Sequence, residues 1–300
     1  MRQFILGTDW WTDCDDAVAL RLLGNAVKKG EIKLLGVGIN ACMEASVASL
    51  DGFLQQDGID HIPIGMDPDA TDYGGNPPYQ TRLAEFAKRY TSNEQAENAV
   101  SLYRRLIAES KEPVEIIEIG YLQVIASFLL SEPDEISPKS GMELMKEKVK
   151  KVWVMAGKWD EDGGMENNFI RNERSRLAAS FFVRMCPVPI TFLGFEVGDT
   201  VITGGNLPET DFLKTVLHDH GSHNGRSSWD PMTVLLALAG EEEKAGYKTV
   251  CGTAFVDAAT GANHFEPHED GLHRYVVKLW DDEAYQNMIN HAIEKRNEAC

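Results

Sequence analysis

Short apolar runs rich in β-branched residues alternate with longer amphipathic stretches along the whole chain, and no other feature constrains the fold as much. Phe4-Ile5-Leu6-Gly7 is followed by a helical pattern from Asp16 to about Lys28, and that by a strand pattern from Ile32 to Ile39. An apolar pattern runs from Ala45 to Leu54, His61 to Gly65 reads as a short strand, Val114 to Gly120 as another, and Leu122 to Leu130 opens a helix. Lys151 to Gly157 and Val188 to Gly194 read as further buried strands. The helical face through Ser175 to Val183 takes up Phe181 and Phe182 as packing. Runs apolar on both faces, such as Val152-Trp153-Val154-Met155, suit strands covered from both sides. The expected fold is therefore a doubly wound, Rossmann-like α/β domain with a mostly parallel central sheet flanked by helices. Asp67 to Gln80 and Asp160 to Asn172 interrupt the rhythm; rich in Gly, Pro, Asn and Asp, they read as long loops of the kind that carries function. No repeat, low-complexity tract or Pro/Ser linker divides residues 1–300, so one domain is expected.

Composition decides what such a domain would meet. With 43% hydrophobic and 25% charged residues the chain can bury a core and is not a disordered one. Its 29 Lys+Arg against 47 Asp+Glu leave a formal charge of −18. A surface that acidic repels phosphate backbones and anionic headgroups, so neither nucleic acid nor a membrane is an expected partner; a cation is. The first apolar stretch is too short for a secretory signal, and no apolar run is long enough to span a bilayer, so a cytoplasmic location is expected. Cys14, Cys42, Cys186, Cys251 and Cys300 are odd in number and form no CxxC pair, which points to free thiols rather than disulfides or a zinc site.

The strongest local signal is Gly7-Thr8-Asp9-Trp10-Trp11-Thr12-Asp13-Cys14-Asp15-Asp16-Ala17, which joins the first strand to the first helix. One or two of its aspartates could serve as helix caps. Four at the C-terminal end of a strand repel one another unless a cation or proton intervenes, and that end is where open α/β sheets bind ligands. Oxygen donors in such number point to a hard cation, calcium or magnesium. A second acidic position, Asp230 in Ser227-Ser228-Trp229-Asp230-Pro231, stands just before the apolar helix Met232 to Leu238, where by itself it reads as a cap.

Taken together, these residues match a family. The run from Ile5 to Leu20, ILGTDWWTDCDDAVAL, resembles the N-terminal signature of the inosine-uridine-preferring nucleoside hydrolases, in a variant with two extra residues before the Asp pair. Gly120-Tyr121-Leu122-Gln123 resembles that family's strand-end turn, Val152 to Gly157 its central strand, Glu166-Asn167-Asn168 its Glu-x-Asn sugar element, and Trp229-Asp230-Pro231 its C-terminal metal-ligand element. The resemblance implies a calcium-dependent hydrolase that cleaves the N-glycosidic bond of ribonucleosides, assembled as a homodimer or homotetramer. Asp9 would be a calcium ligand and the general base for the attacking water, Asp16 a second ligand and Asp15 a contact to the ribose hydroxyls. Gln123 would contribute its backbone carbonyl, and Asp230 would complete the calcium ligands. Asn40, Glu166 and Asn168 would bind the sugar.

Three positions depart from the family pattern. Gly7 replaces the first Asp of the signature, which removes a carboxylate that would orient its neighbours. Trp229 stands where a histidine often serves as leaving-group acid; it cannot donate a proton, but its face can stack on a base. Asp160 stands where an Asn often precedes Glu-x-Asn. Asp13 lies in the two-residue expansion and has no assigned role. His218, His220 and His223, in HDHGSHNG, read as a solvated loop. Two other functions compete: an Asp-dependent metal phosphatase, disfavoured by Gly7 at the strand end, and a nucleoside- or sugar-binding protein without turnover.

Overall fold

The computed structural model describes residues 1–10, 13–70 and 77–294. Trp11 and Thr12 of the Asp-rich turn, residues 71–76 of the first expected loop and Cys300 lie outside the described residues. The expected alternation is realised as β1 (Arg2–Thr8), α1 (Asp15–Lys28), β2 (Ile32–Ile39), α2 (Ser46–Asp57), β3 (Ile64–Met66), α3 (Pro78–Ala84), β4 (Glu97–Asn98), α4 (Ala99–Glu109), β5 (Val114–Glu118), α5 (Gln123–Leu130), α6 (Gly141–Lys148) and β6 (Val149–Met155). It continues with α7 (Asn167–Ile170), α8 (Glu173–Met185), β7 (Ile190–Leu193), α9 (Phe195–Gly198), β8 (Ile202–Thr203), α10 (Phe212–His220), β9 (Arg226–Ser227), α11 (Trp229–Ala239), β10 (Tyr247–Val256), β11 (Asn263–Pro267), β12 (His273–Lys278) and α12 (Asp282–Ile293).

Ten strands form one sheet in the order β11-β10-β12-β7-β6-β5-β1-β2-β3-β4. Only β10 runs against the others, paired antiparallel to both β11 and β12, while β12 pairs parallel to β7. The strands divide their apolar side chains between two layers because successive residues point to opposite faces. From β1, Phe4 and Leu6 enter one core and Ile5 the other; from β6, Trp153 and Met155 part from Val152 and Val154 in the same way. Helices α1, α2, α10, α11 and α12 cover the first face, and α4, α5, α6 and α8 the second. No helix among the described residues is long and apolar enough to cross a membrane.

The chain leaves β1 toward β2, β3 and β4 on one side and returns to β5 on the other, so the C-terminal ends of β1 and β5 flank a topological switch point. Asp9 follows directly on β1 at that point.

Several boundaries differ from expectation for local reasons. The strand read over His61 to Gly65 begins only at Ile64, since Pro63 has no N–H to give a ladder. Helix α3 starts inside the first expected loop, at Pro78, whose fixed φ suits the first helical position. The second expected loop holds the single turn α7, capped by the Glu166 side chain. His218 and His220 are not in a loop: they form the end of α10, which stops at Gly221 with φ 90°. Asp230 does not precede its helix but lies within the first turn of α11. Among the described residues, Cys14, Cys186 and Cys251 form no disulfide.

Candidate active site

At the switch point the N-termini of α1 and α11 converge. Asp15 and Asp16 open α1 and Asp230 lies in the first turn of α11, so three carboxylates share the positive ends of two helices. None caps in the usual sense, because the caps are Cys14 and Ser228, without side-chain cap bonds. The Asp230 N–H instead donates to Asp15 Oδ2 (3.2 Å), and the Thr8 hydroxyl donates to Asp16 Oδ1. Trp10, between β1 and α1, takes a left-handed φ of 41°, a strained conformation for a bulky residue. Its indole N–H on Ser49 Oγ (2.8 Å) and the Gln80 amide on its carbonyl (2.6 Å) hold it there.

Ligand oxygens of Asp15, Asp16 and Asp230 lie within 4.8 Å of one another, and all three residues are buried. Burial first, and then the charges of neighbouring aspartates, Asp13 among them, push each of these carboxyls well above the ordinary range. The Asp16 and Asp230 carboxyls also feel the charge of Asp9. A donor set made of oxygen, packed tightly enough to resist ionisation, fits a hard divalent cation, which would relieve the repulsion that the fold imposes. Asp13, Cys14 and His220 form a second close group. There Arg226 already compensates Asp13: burial opposes ionisation of that carboxyl, but the hydrogen bonds and charge of Arg226 hold it below its usual value.

A cavity of about 280 Å³ opens above the carboxylates, of a size for a small molecule. Asp9, Asp13, Asp15, Asp16 and Asp230 line it together with Glu166, Asn167 and Asn168, and Ile119, Met155, Phe195, Arg226 and Trp229 complete it. The Glu166 carboxylate is fixed by the N–H groups of Gly157 (3.0 Å) and Asn168 (2.9 Å), and burial raises its pKa to about 7. The Asn168 amide donates to the Met155 carbonyl (2.9 Å). Phe195 stacks on Trp229 with ring centroids 5.3 Å apart, and the Trp229 indole N–H is spent on the Phe195 carbonyl (2.9 Å). The two rings thus form one aromatic wall.

Asp9, Asp15, Asp16, Glu166, Asn168, Trp229 and Asp230 therefore come together as the sequence reading expected. Asp160, Asn40 and Gln123, the last expected through its backbone carbonyl, are not among the residues that line the cavity. Asp160 is half exposed and ion-paired with Lys158 (2.8 Å), and it does not line the cavity. Asn40 is buried behind Asp9, where its Oδ1 accepts the Tyr121 N–H (3.0 Å), and it does not line the cavity. A Cβ at Gly120 would fall 2.8 Å from that Oδ1 and collide with the Asp9 backbone, so only glycine lets β5 turn this close. The Gln123 side chain reaches a second cavity, between α5 and α8, bonded to Ser175 Oγ (3.0 Å) and to Arg174 (2.8 Å). Sequence reasoning missed Ile119, Met155 and Phe195, although each follows or ends a strand at its C-terminal end, where such folds bind ligands. It also missed Arg226, whose partner Asp13 is 213 residues away.

The space that Gly7 opens is not left without a carboxyl. Gly7 pairs in register with Glu118 on β5, and a Cβ at position 7 would collide with Glu118 Oε2. The neighbouring strand thus delivers an acid where the family signature has its own. Glu118 is fully buried, accepts the Tyr103 hydroxyl (3.0 Å) on Oε1, and has a pKa raised by burial to about 8. Unfolded, the same carboxyl would ionise near pH 4.5. The folded state therefore keeps its proton while the unfolded state loses it, and stability falls as pH rises from about 4.5 to about 8. The slope from this group is about 1.4 kcal/mol per pH unit within that window. Glu118→Gln, neutral at every pH, should flatten that loss; urea midpoints of both proteins across the window check it, and parallel curves would refute it.

No protein-family profile matches the chain, and no curated protein matches it in sequence. Solved structures do. A plant nucleoside hydrolase is similar with a TM-score of 0.73 at 14% identity, covering 98% of this chain and 99% of that one. The inosine-uridine preferring nucleoside hydrolase of Bacillus anthracis is similar with a TM-score of 0.71 at 13% identity, over 98% of this chain and 99% of the other. A purine-preferring ribonucleoside hydrolase from Gardnerella vaginalis follows at 0.68 and 15%, over 97% and 98%. The chain has the fold of the nucleoside hydrolases over nearly its whole length.

Proposed function

We propose that this protein hydrolyses the N-glycosidic bond of ribonucleosides, releasing ribose and a free base. The observation that carries the reading is the cluster of Asp9, Asp15, Asp16 and Asp230 at the floor of a cavity whose wall is aromatic, at the switch point of this fold. Asp15, Asp16 and Asp230 would hold a hard divalent cation, with Asp9 beside them, and calcium suits their all-oxygen chemistry. When bound, that cation supplies charge neutralisation and a lowered pKa for the attacking water.

The rest falls to the chain's own side chains. Asp9 takes the proton of the attacking water as the C1′–N bond lengthens. Positive charge then develops on the ribosyl ring, and the surrounding carboxylates favour it in a site where little water screens them. Glu166, Asn168 and Asp15 orient the sugar through its hydroxyls, while Phe195 and Trp229 offer a flat face to the base.

The test is product analysis on a riboside and its 2′-deoxy counterpart. Uridine and inosine should give free base and ribose in equal amounts. Loss of the 2′-hydroxyl leaves buried polar groups unpaired at about 1–3 kcal/mol, so deoxyribosides should be roughly 5- to 150-fold poorer by kcat/KM. Release of phosphate from phosphoesters, or binding without products, would overturn the reading. Equal kcat/KM for uridine and deoxyuridine would remove the sugar roles.

A further inference from the structure

Of the described residues that line the cavity, Arg226 alone is basic. It is not paired with the floor carboxylates. Its Nε and Nη2 donate to the two oxygens of Asp13 (2.9 and 2.6 Å), a bidentate fork that fixes the plane of the guanidinium. Asp13 is itself held from two sides, by the Cys14 N–H on its carboxylate (2.7 Å) and by the Tyr79 hydroxyl on its carbonyl (2.6 Å). The guanidinium carbon lies over the Trp229 ring, 5.1 Å from its centroid. Arg226 thus belongs to the aromatic wall, and its Nη1 donates to no described residue.

A positive side chain beside a reaction that builds positive charge on the sugar would oppose it. Pairing with Asp13 makes the unit neutral at a distance, while the unused N–H group remains a directional donor at short range. The departing base is where such a donor helps. It takes the electron pair of the C1′–N bond, and the negative charge spreads to its ring nitrogens and carbonyl oxygens.

We propose that Arg226 binds the departing base through Nη1 and stabilises its developing negative charge, and that Asp13 is the positioning residue that aims it. This rests on the hydrolase reading above. The C1′–N bond breaks with its electron pair going to the base, the water oxygen bonds to C1′, and the water proton goes to Asp9. Arg226 keeps its proton, the base takes one from solvent and Asp9 returns one to solvent, so the sum is nucleoside plus water to ribose plus base. The two residues added to the signature thus acquire a purpose, because one of them is Asp13.

The experiment compares wild type, Arg226→Gln, Arg226→Lys and Asp13→Asn on inosine, uridine and nitrophenyl riboside, with inhibition by hypoxanthine and by ribose measured alongside. Arg226→Gln should lower kcat on inosine and uridine by about 10²-fold, the worth of one preorganised donor to developing charge. It should leave the nitrophenyl riboside nearly unchanged, since that leaving group needs no such help. Inhibition by hypoxanthine should weaken while inhibition by ribose stays. Arg226→Lys should recover little of the loss, because a single ammonium cannot share itself between Asp13 and the base in the same plane. Asp13→Asn should act in the same direction, and less. Circular dichroism and the melting temperature of each variant serve as the control for folding. An equal fall on all three substrates, or none, overturns the inference and leaves the hydrolase reading standing. A wild type that releases ribose from none of them overturns both.

Discussion

Asp16→Ala and Asp230→Ala should each lose tightly held calcium and lower ribose release by about 10²–10⁴-fold, the range set by a misplaced nucleophile and base. The structure concentrates the reason in a small volume. Asp15, Asp16 and Asp230 are buried on the first turns of two helices, with ligand oxygens within 4.8 Å of one another. Burial and repulsion together oppose their ionisation, so a divalent cation has both a charge to meet and a geometry already formed. Elemental analysis of the purified protein should find about one calcium per chain. A chelator should remove activity along with it, and calcium should restore both activity and thermal stability, by about 2.7 kcal/mol at a hundredfold excess over Kd. Asp9→Ala should abolish turnover too, as the base is lost. Native protein without any divalent cation, with turnover indifferent to chelation, would show that the carboxylates serve another purpose.

The second large effect concerns the leaving group. No residue of the aromatic wall is an acid: the Trp229 indole N–H cannot protonate a base and is already bonded to the Phe195 carbonyl (2.9 Å), and Arg226 is held protonated by its hydrogen bonds to Asp13. A positioned general acid is typically worth about 10²–10⁴-fold. A nitrophenyl riboside should therefore be hydrolysed faster than inosine or uridine by a factor in that range. Trp229→His places an imidazole in the wall and should raise the rate on natural nucleosides selectively, while Trp229→Ala should weaken both by loss of stacking. Similar rates for the activated and natural substrates in wild type would mean that another side chain supplies the proton. His220 is then first in line, with its Nε2 3.8 Å from Asp13 Oδ1.

These expectations come from different depths of the molecule. The βαβ rhythm was legible because each strand carries its own apolar run and each helix its own period. The first strand and the Asp-rich turn after it are local, so the sequence could place Asp9, Asp15 and Asp16 at a strand end without knowing what lay opposite. The antiparallel strand β10 was not legible, since a half-exposed strand writes only a weak alternation. The same limit applied to Asp160 and Asn40, which a linear motif places near the sugar. In the fold one is half exposed and ion-paired with Lys158, the other is buried with its Oδ1 on the Tyr121 N–H, and neither lines the cavity.

The amino-acid order by itself determined most of the strand and helix alternation up to β7, the doubly wound class and the chemical character of the site, because periodicity and clustered carboxylates act between neighbours in the chain. Only the tertiary structure decided which of those groups share one cavity. Asp230 meets Asp15 across 215 residues, Arg226 meets Asp13 across 213, and Glu118 fills the space beside Gly7 from the next strand. Each of those contacts depends on strand order and helix placement, which are set by how two whole apolar layers bury themselves on the two faces of the sheet and not by any local run of residues.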